Sequence, residues 1–123
     1  MLCQLPETKQ DLLAVRVNDV LSTEDLQLYK QLINAIIAKY GSVRLYFEMK
    51  EFKGWEPLGF LENGLFDLLH GINFNRVAMV GEKEWQHWAA RLASPVKKKG
   101  IRYFDLKDKD KAIHWLEEDP DKK

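Results

Sequence analysis

Four apolar segments recur along the chain at the spacing of a β-strand followed by a crossover helix. The predicted strands begin at residues 12, 43, 75 and 101, about 30 residues apart, the length of a βα unit. Patterns of helical spacing lie between and after them, at 23–40, 57–70, 82–93 and 108–118. Strands joined in this way pair in parallel. We therefore predict a single α/β domain with a mostly parallel sheet of four or five strands, in which residues 2–5 are the candidate fifth strand.

The clearest helix follows the first strand. Ser22 or Thr23 is its predicted N-cap, acidic residues occupy its first turn, where the helix dipole favours them, and Gly41 ends it. In VRLYFEM (43–49) the apolar residues alternate, which predicts one buried face. RVAMV (76–80) is apolar throughout, as in a central strand covered on both sides. These patterns predict a core containing Leu32, Ile36, Leu45, Phe47, Val77, Met79, Trp88, Leu92, Ile113 and Leu116.

Composition indicates a soluble globular protein. Hydrophobic residues make up 46% of the 123, and nineteen basic residues balance nineteen acidic ones. No net field therefore attracts nucleic acid or an anionic membrane, and no segment approaches the ~20 apolar residues that span a bilayer. The one cysteine, Cys3, suits a reducing compartment. We expect a cytoplasmic domain over residues 1–118 and a charged tail over 119–123.

The sequence contains no recognisable catalytic or metal-binding pattern. The three histidines have no ligand spacing and project away from the apolar stripes of their helices; they are His70, His87 and His114. No serine lies in a G-x-S-x-G elbow. The basic segment KKKGIRYF (97–104) does not match the ribonucleoprotein motif, and acidic residues follow it at once. The carboxylates near the second strand are interpreted as plain surface; they are Glu48, Glu51, Glu56 and Glu62. We expect no catalytic residue, no metal and no cofactor.

One aromatic segment falls outside the core pattern. FKGWEPLGF (52–60) lies between a predicted strand and a predicted helix, a junction where α/β proteins place ligands. Its glycines have the G-x-x-x-x-G spacing of a phosphate-binding loop, but Phe60 and Leu61 stand where that loop needs Lys and Ser or Thr. Trp55, on the loop, is either an anchor for a binding partner or a plug that folds back on the helix entrance. The candidate contact site comprises Lys53, Gly54, Trp55, Glu56, Pro57 and Phe60.

Three stretches of the chain resemble the SpoIIAA-like family of small bacterial proteins. They are the segments EFKGWEP, NRVAMVGEKEW and HWLEE, and the resemblance covers roughly residues 10–118. It implies a STAS-like α/β fold, related to anti-sigma-factor antagonists and to CRAL-TRIO lipid-binding domains. Antagonists of that kind present a phosphorylatable Ser at the start of the second helix. Here the region reads KEFKGWEPLG, without Ser or Thr, and Glu56 precedes Pro57 at the predicted helix start. A switch by phosphorylation is therefore not expected.

Two functions of different classes remain. The first is a non-catalytic binding or regulatory module that acts through a protein partner or by forming a homodimer. The second is a carrier of a small apolar or lipid-like molecule, as the similarity to CRAL-TRIO domains implies. Gly59 and Gly64 weaken the predicted helix 57–70 by up to ~1 kcal/mol each relative to Ala, which a helix opening over a pocket could tolerate. An enzyme, with a hydrolase-type activity that no residue pattern defines, ranks third.

Overall fold

The structure, a computed structural model, describes residues 2–55, 74–82 and 101–118. Its strands form one five-stranded sheet in which the spatial order equals the chain order. The short β1 pairs antiparallel with β2, and every other neighbouring pair is parallel. The strands are β1 (Leu2–Gln4), β2 (Leu12–Leu21), β3 (Val43–Trp55), β4 (Phe74–Gly81) and β5 (Ile101–Asp105). The prediction of a mostly parallel α/β sheet with residues 2–5 at its edge is confirmed.

Helix α1 (Thr23–Tyr40) has the predicted ends. Ser22 is the N-cap and accepts a hydrogen bond from the backbone N–H of Asp25, while the Asp25 carboxylate accepts one from the backbone N–H of Ser22. These reciprocal bonds form a capping box. Gly41 ends the helix with φ of 87° and donates its N–H to the Ile37 carbonyl. Glycine adopts this left-handed conformation without the steric cost that a Cβ imposes.

The core consists of two apolar layers, one on each face of the sheet. Tyr29 and Ile33 of α1 cover one face, and the buried residues there include Leu13, Val15, Val17, Val43, Leu45, Phe47, Met49, Val77 and Met79. Ala112 and Leu116 cover the other face, together with Leu5 from the β1–β2 connection. Of the predicted core, Leu45, Phe47, Val77, Met79 and Leu116 are buried, and Leu32, Ile36 and Ile113 pack at the margins. Trp88 and Leu92 lie outside the described residues, as do the predicted helix at 57–70 and all but the first residue of the one predicted at 82–93.

Strand β3 is buried on both faces, whereas the sequence predicts only one buried face. Alternation in VRLYFEM predicts one buried face, but Tyr46 and Glu48, on the opposite face, are also buried. Parallel sheets are usually covered on both faces, so alternating polarity in such a strand does not indicate solvent exposure.

Helix α2 (Lys109–Glu117) follows a 3₁₀ turn (Leu106–Asp108) and crosses the second face of the sheet. Two arginines on adjacent strands donate hydrogen bonds to carbonyl groups in the last turn of α2. Arg44 Nη1 donates to the Leu116 carbonyl at 2.7 Å, and Arg76 Nη1 donates to the Trp115 carbonyl at 2.6 Å. Cations at a helix C-terminus satisfy unpaired carbonyls and interact favourably with the helix dipole. His114 is exposed, as predicted. Among the helices of the described part, none has the length and apolar character to cross a bilayer.

Candidate functional site

Strands β2 and β3 continue beyond the rest of the sheet. The last residue of β2 that pairs with β1 is Val17, and the last of β3 that pairs with β4 is Met49. Past these positions β2 and β3 pair only with each other among the described strands, and Leu21 opposite Trp55 is their final pair. We call residues 18–21 and 50–55 the β2–β3 ribbon. It extends from the carboxyl edge of the sheet, where α/β proteins commonly bind ligands.

Backbone irregularities mark the base of the ribbon. The register between β2 and β3 shifts twice, on either side of Asp19, because β3 accommodates extra residues. Asp19 and Glu51 have φ of 55° and 54°, a left-handed conformation that non-glycine residues seldom adopt. The N–H of Glu51 points to the carboxylate of Glu82, at 3.4 Å. Bulges and strained residues of this kind occur preferentially near functional sites, where they redirect a strand.

The structure places the first half of the predicted contact site in the ribbon. Lys53, Gly54 and Trp55 belong to β3, so the prediction that Trp55 lies on a loop is wrong. The polar pair Lys50 and Glu51 interrupts the alternation of VRLYFEM and resembles the end of a strand, whereas the strand continues through a bulge. Glu56, Pro57 and Phe60 lie outside the described residues.

Helix α1 begins at the tip of the ribbon, since Ser22 directly follows Leu21. Helix N-termini attract anions, but this one is already occupied by the Asp25 carboxylate. Burial alone would raise the pKa of Asp25, yet hydrogen bonds from Ser22 and from the backbone N–H of Leu2 outweigh it, and the pKa lies below its ordinary value. Among the described residues, the helix N-terminus at the ribbon tip is therefore not free to bind a phosphate group.

A buried carboxylate lies immediately below the ribbon. Glu48 is 2% exposed, and its two oxygens accept hydrogen bonds from Arg16 Nε and from the Tyr46 hydroxyl, each at 2.6 Å. Lys109 Nζ lies 3.9 Å from Glu48 and 3.3 Å from Glu7, so the network joins both strands to α2 and to the β1–β2 connection. The interpretation of Glu48 as plain surface is wrong, because both faces of β3 are covered.

The chemistry of this network is that of an internal ion pair. Each oxygen of Glu48 already accepts a hydrogen bond, and the residue is 2% exposed, so little of the carboxylate lies within reach of a substrate proton. Burial, and next the hydrogen bond to Glu48, raise the pKa of Tyr46 far above its ordinary value, so the phenol stays protonated. Within residues 2–55, 74–82 and 101–118, no three potential metal ligands lie close enough together to hold an ion.

The sequence does contain a signal that Glu48 is buried in an ion pair. A carboxylate in the middle of an apolar strand requires a cation when that strand is buried on both faces. Arg16 stands at the corresponding place in the preceding strand, and the two residues are register partners in the sheet. Recognising the pair requires knowing that the two strands are neighbours in parallel register.

Comparisons with known proteins agree on the fold. The family model described as SpoIIAA-like matches residues 12–117. A similar solved structure is that of an uncharacterised protein of the DUF3478 family with a SpoIIAA-like fold, from Shewanella loihica PV-4. It is 27% identical in sequence, with a TM-score of 0.68 over 94% of this chain and 93% of that one. A search of curated proteins found no match.

Proposed function

Because the chain belongs to the SpoIIAA-like family, whose matched relative has no assigned activity, we propose a function from its own geometry: a non-catalytic binding module that contacts another protein chain through the β2–β3 ribbon. The partner is a different protein or a second copy of the same chain. The reducing cytoplasm is the compartment that we propose, since Cys3 is a free, exposed thiol.

The observation that carries this proposal is the extension of the ribbon beyond its neighbours. An edge that no further strand covers can bind an added chain through backbone hydrogen bonds. Neither outer edge of the ribbon pairs with a described strand beyond Val17 and Met49. Two register shifts lie at its base, and bulges of this kind bend a strand and increase its twist. A short, irregular ribbon offers a local contact surface rather than a long template for aggregation.

The hydrogen bonds that Glu48 already accepts favour a binding function over a catalytic one. It is the only buried charged residue in the described part of the chain, and arginine and tyrosine already hold both its oxygens. A general base needs an oxygen within hydrogen-bonding reach of a substrate proton. Glu48 is better explained as the acidic member of an ion pair with Arg16 that anchors the base of the ribbon.

Trp55 is the residue that we expect to contribute most to binding. Its backbone forms the last pair of the ribbon, and the proposed contact continues through Glu56, Pro57 and Phe60 in sequence. Tryptophan is frequent among interface residues whose truncation costs about 2 kcal/mol or more. The absence of Ser and Thr from residues 50–64 makes this contact independent of a serine or threonine switch.

The experiment is Trp55→Ala, measured for both association and stability. We expect association to weaken at least about tenfold, with little change in the denaturation midpoint. Self-association is measured by sedimentation velocity, and a heterologous partner by quantitative crosslinking in the native host. The matched control is Tyr40→Ala, which removes a 44% exposed aromatic residue from the far end of α1.

A stability loss of about 3 kcal/mol with unchanged association would show that Trp55 is a structural plug and would refute the proposed site. Native mass spectrometry of the protein purified from its host tests the carrier alternative in parallel. A retained small apolar molecule, lost in Trp55→Ala without loss of subunit contacts, would replace the binding-module proposal with that of a carrier.

A further inference from the structure

A groove separate from the ribbon lies between the edge strand β5 and helix α2. It is open to solvent and has a volume of about 380 Å³ on the second face of the sheet. Arg102, Phe104 and Trp115 are among its lining residues, and Arg102 is the second residue of β5. The groove runs along β5, at the edge of the sheet next to β4, whereas the ribbon extends from β2 and β3. Its volume falls within the range of small-molecule sites.

Two aromatic rings and a guanidinium group form the chemically distinctive part of the groove. The ring centroids of Phe104 and Trp115 are 5.9 Å apart, with planes inclined by 48°. The Arg102 Cζ atom lies 5.3 Å from the Phe104 centroid and 5.4 Å from the Trp115 centroid. Cation–π attraction to both rings favours this position of the guanidinium group. The groove therefore combines an apolar wall with a located positive charge.

Arg102 differs from the other described arginines on this face because no described carboxylate pairs with it. Three arginines of the neighbouring strands each pair with a carboxylate: Arg16 with Glu48 at 2.6 Å, Arg44 with Asp11 at 3.2 Å, and Arg76 with Glu118 at 3.3 Å. Arg102 has no carboxylate partner in the part of the chain that the structure describes. Arg102 is exposed to solvent at the groove, and among the described residues no acceptor forms a hydrogen bond with its guanidinium group.

The other charges around the groove limit which anion it can accept. Lys111 is 3.8 Å from Asp108, and Glu118 is paired with Arg76, so these two residues contribute little net charge. Asp110 also lines the groove, is exposed, and opposes an incoming anion. One available guanidinium beside an acidic residue suits a singly charged ligand better than a doubly charged phosphate.

We propose that this groove binds a small molecule carrying one carboxylate on a flat apolar body. The carboxylate pairs with the guanidinium of Arg102, whose planar fork matches its two oxygens. The apolar body lies against Phe104 and Trp115, where aromatic contact adds to the burial of apolar surface. The Arg102 cation selects the charge of the ligand and the two rings select its shape.

Benzoate is the test probe and benzamide its uncharged counterpart of similar shape. Titrations of the ¹⁵N-labelled protein are followed at the indole N–H of Trp115, which the spectrum of Trp115→Phe assigns. We expect saturable binding of benzoate, about tenfold tighter than that of benzamide. Arg102→Gln should abolish the preference for benzoate and leave weak binding of both probes.

Two further variants separate a specific site from a general charge effect. Asp110→Asn should tighten benzoate binding by about twofold or more and leave benzamide unchanged, because only the anion is repelled by Asp110. Lys107→Gln removes an exposed cation that does not line the groove and should change neither probe. No saturable shift of the Trp115 signal, equal affinity for both probes, or an undiminished preference in a folded Arg102→Gln protein would each overturn the proposal.

Discussion

At the residue scale, the two partners of the Glu48 ion pair are buried to very different degrees. The Glu48 side chain is 2% exposed, whereas that of Arg16 is 36% exposed. Removing one member of a buried pair is costly mainly because the other remains without a counter-charge. Arg16 can regain solvent if Glu48 is neutralised, but Glu48 cannot if Arg16 is removed. The two single substitutions should therefore have unequal effects.

We predict that Arg16→Met destabilises the fold by about 3 kcal/mol and that Glu48→Gln costs less. The double variant Arg16→Met/Glu48→Leu should recover most of the loss, because it leaves no buried charge unpaired. Urea denaturation of the three variants supplies the free energies of unfolding. Equal losses in the two single variants would mean that Lys109, 3.9 Å from Glu48, replaces the missing arginine.

At the element scale, the first turn of α1 joins the helix to the edge of the sheet. The Asp25 carboxylate accepts hydrogen bonds from the backbone N–H groups of Ser22 and Leu2, at 3.0 and 3.2 Å. The two oxygens of one carboxylate therefore connect the helix N-cap to the start of β1. Because these bonds favour the ionised form, the pKa of Asp25 in the folded protein lies below its ordinary value of 3.8.

This lowered pKa predicts a pH-dependent effect of Asp25→Asn. The stabilisation by the carboxylate is fully present above the unfolded-state pKa and is lost as the pH falls through the folded-state pKa. At pH 7 the variant should therefore be less stable than the wild type, by about 0.5 kcal/mol or more, and the difference should shrink below pH ~3.8. Thermal melts across the acid range measure it. Glu24→Gln, which removes an exposed charge from the same turn, is the control and should show a smaller change.

At the scale of the whole molecule, β3 and β4 connect the two apolar layers of the core, because each strand contributes residues to both. Val77 pairs with Leu45 on one side and with Ile101 on the other, and it is almost completely buried. Residues of β4 point alternately to the two faces of the sheet, so the strand belongs to both apolar clusters. A charge introduced here has no counter-ion among the described core residues of its cluster.

Val77→Asp should consequently be among the most destabilising single changes in the chain. Burying an unpaired carboxylate costs several kcal/mol, a large fraction of the stability of a domain of this size. We expect a loss above about 3 kcal/mol or failure to fold, measured by the urea midpoint and by circular dichroism. Asn75→Asp, at an exposed position of the same strand, is the control and should remain close to wild type. A wild-type melting temperature for Val77→Asp would contradict the central position of β4.

The sequence by itself was sufficient for the architecture. Spacing of about 30 residues predicts parallel strands joined by crossovers, and local hydrogen-bond chemistry predicts the ends of α1 at Ser22 and Gly41. These features depend on interactions between residues close in the chain or on a periodic pattern of apolar residues. They are therefore visible without knowledge of distant contacts.

Only the tertiary structure determined the environment of the polar residues and the true length of the central strands. Whether Glu48 is exposed or buried depends on α2 and on Arg16, which lie far from it in sequence. The extension of β3 to Trp55 depends on pairing with β2 through bulges, which interrupt the alternation that identifies a strand. Among the described arginines, Arg102 is distinguished only by having no described carboxylate as a partner. Burial, register and ion pairing are properties of segments brought together by folding, so a local pattern does not contain them.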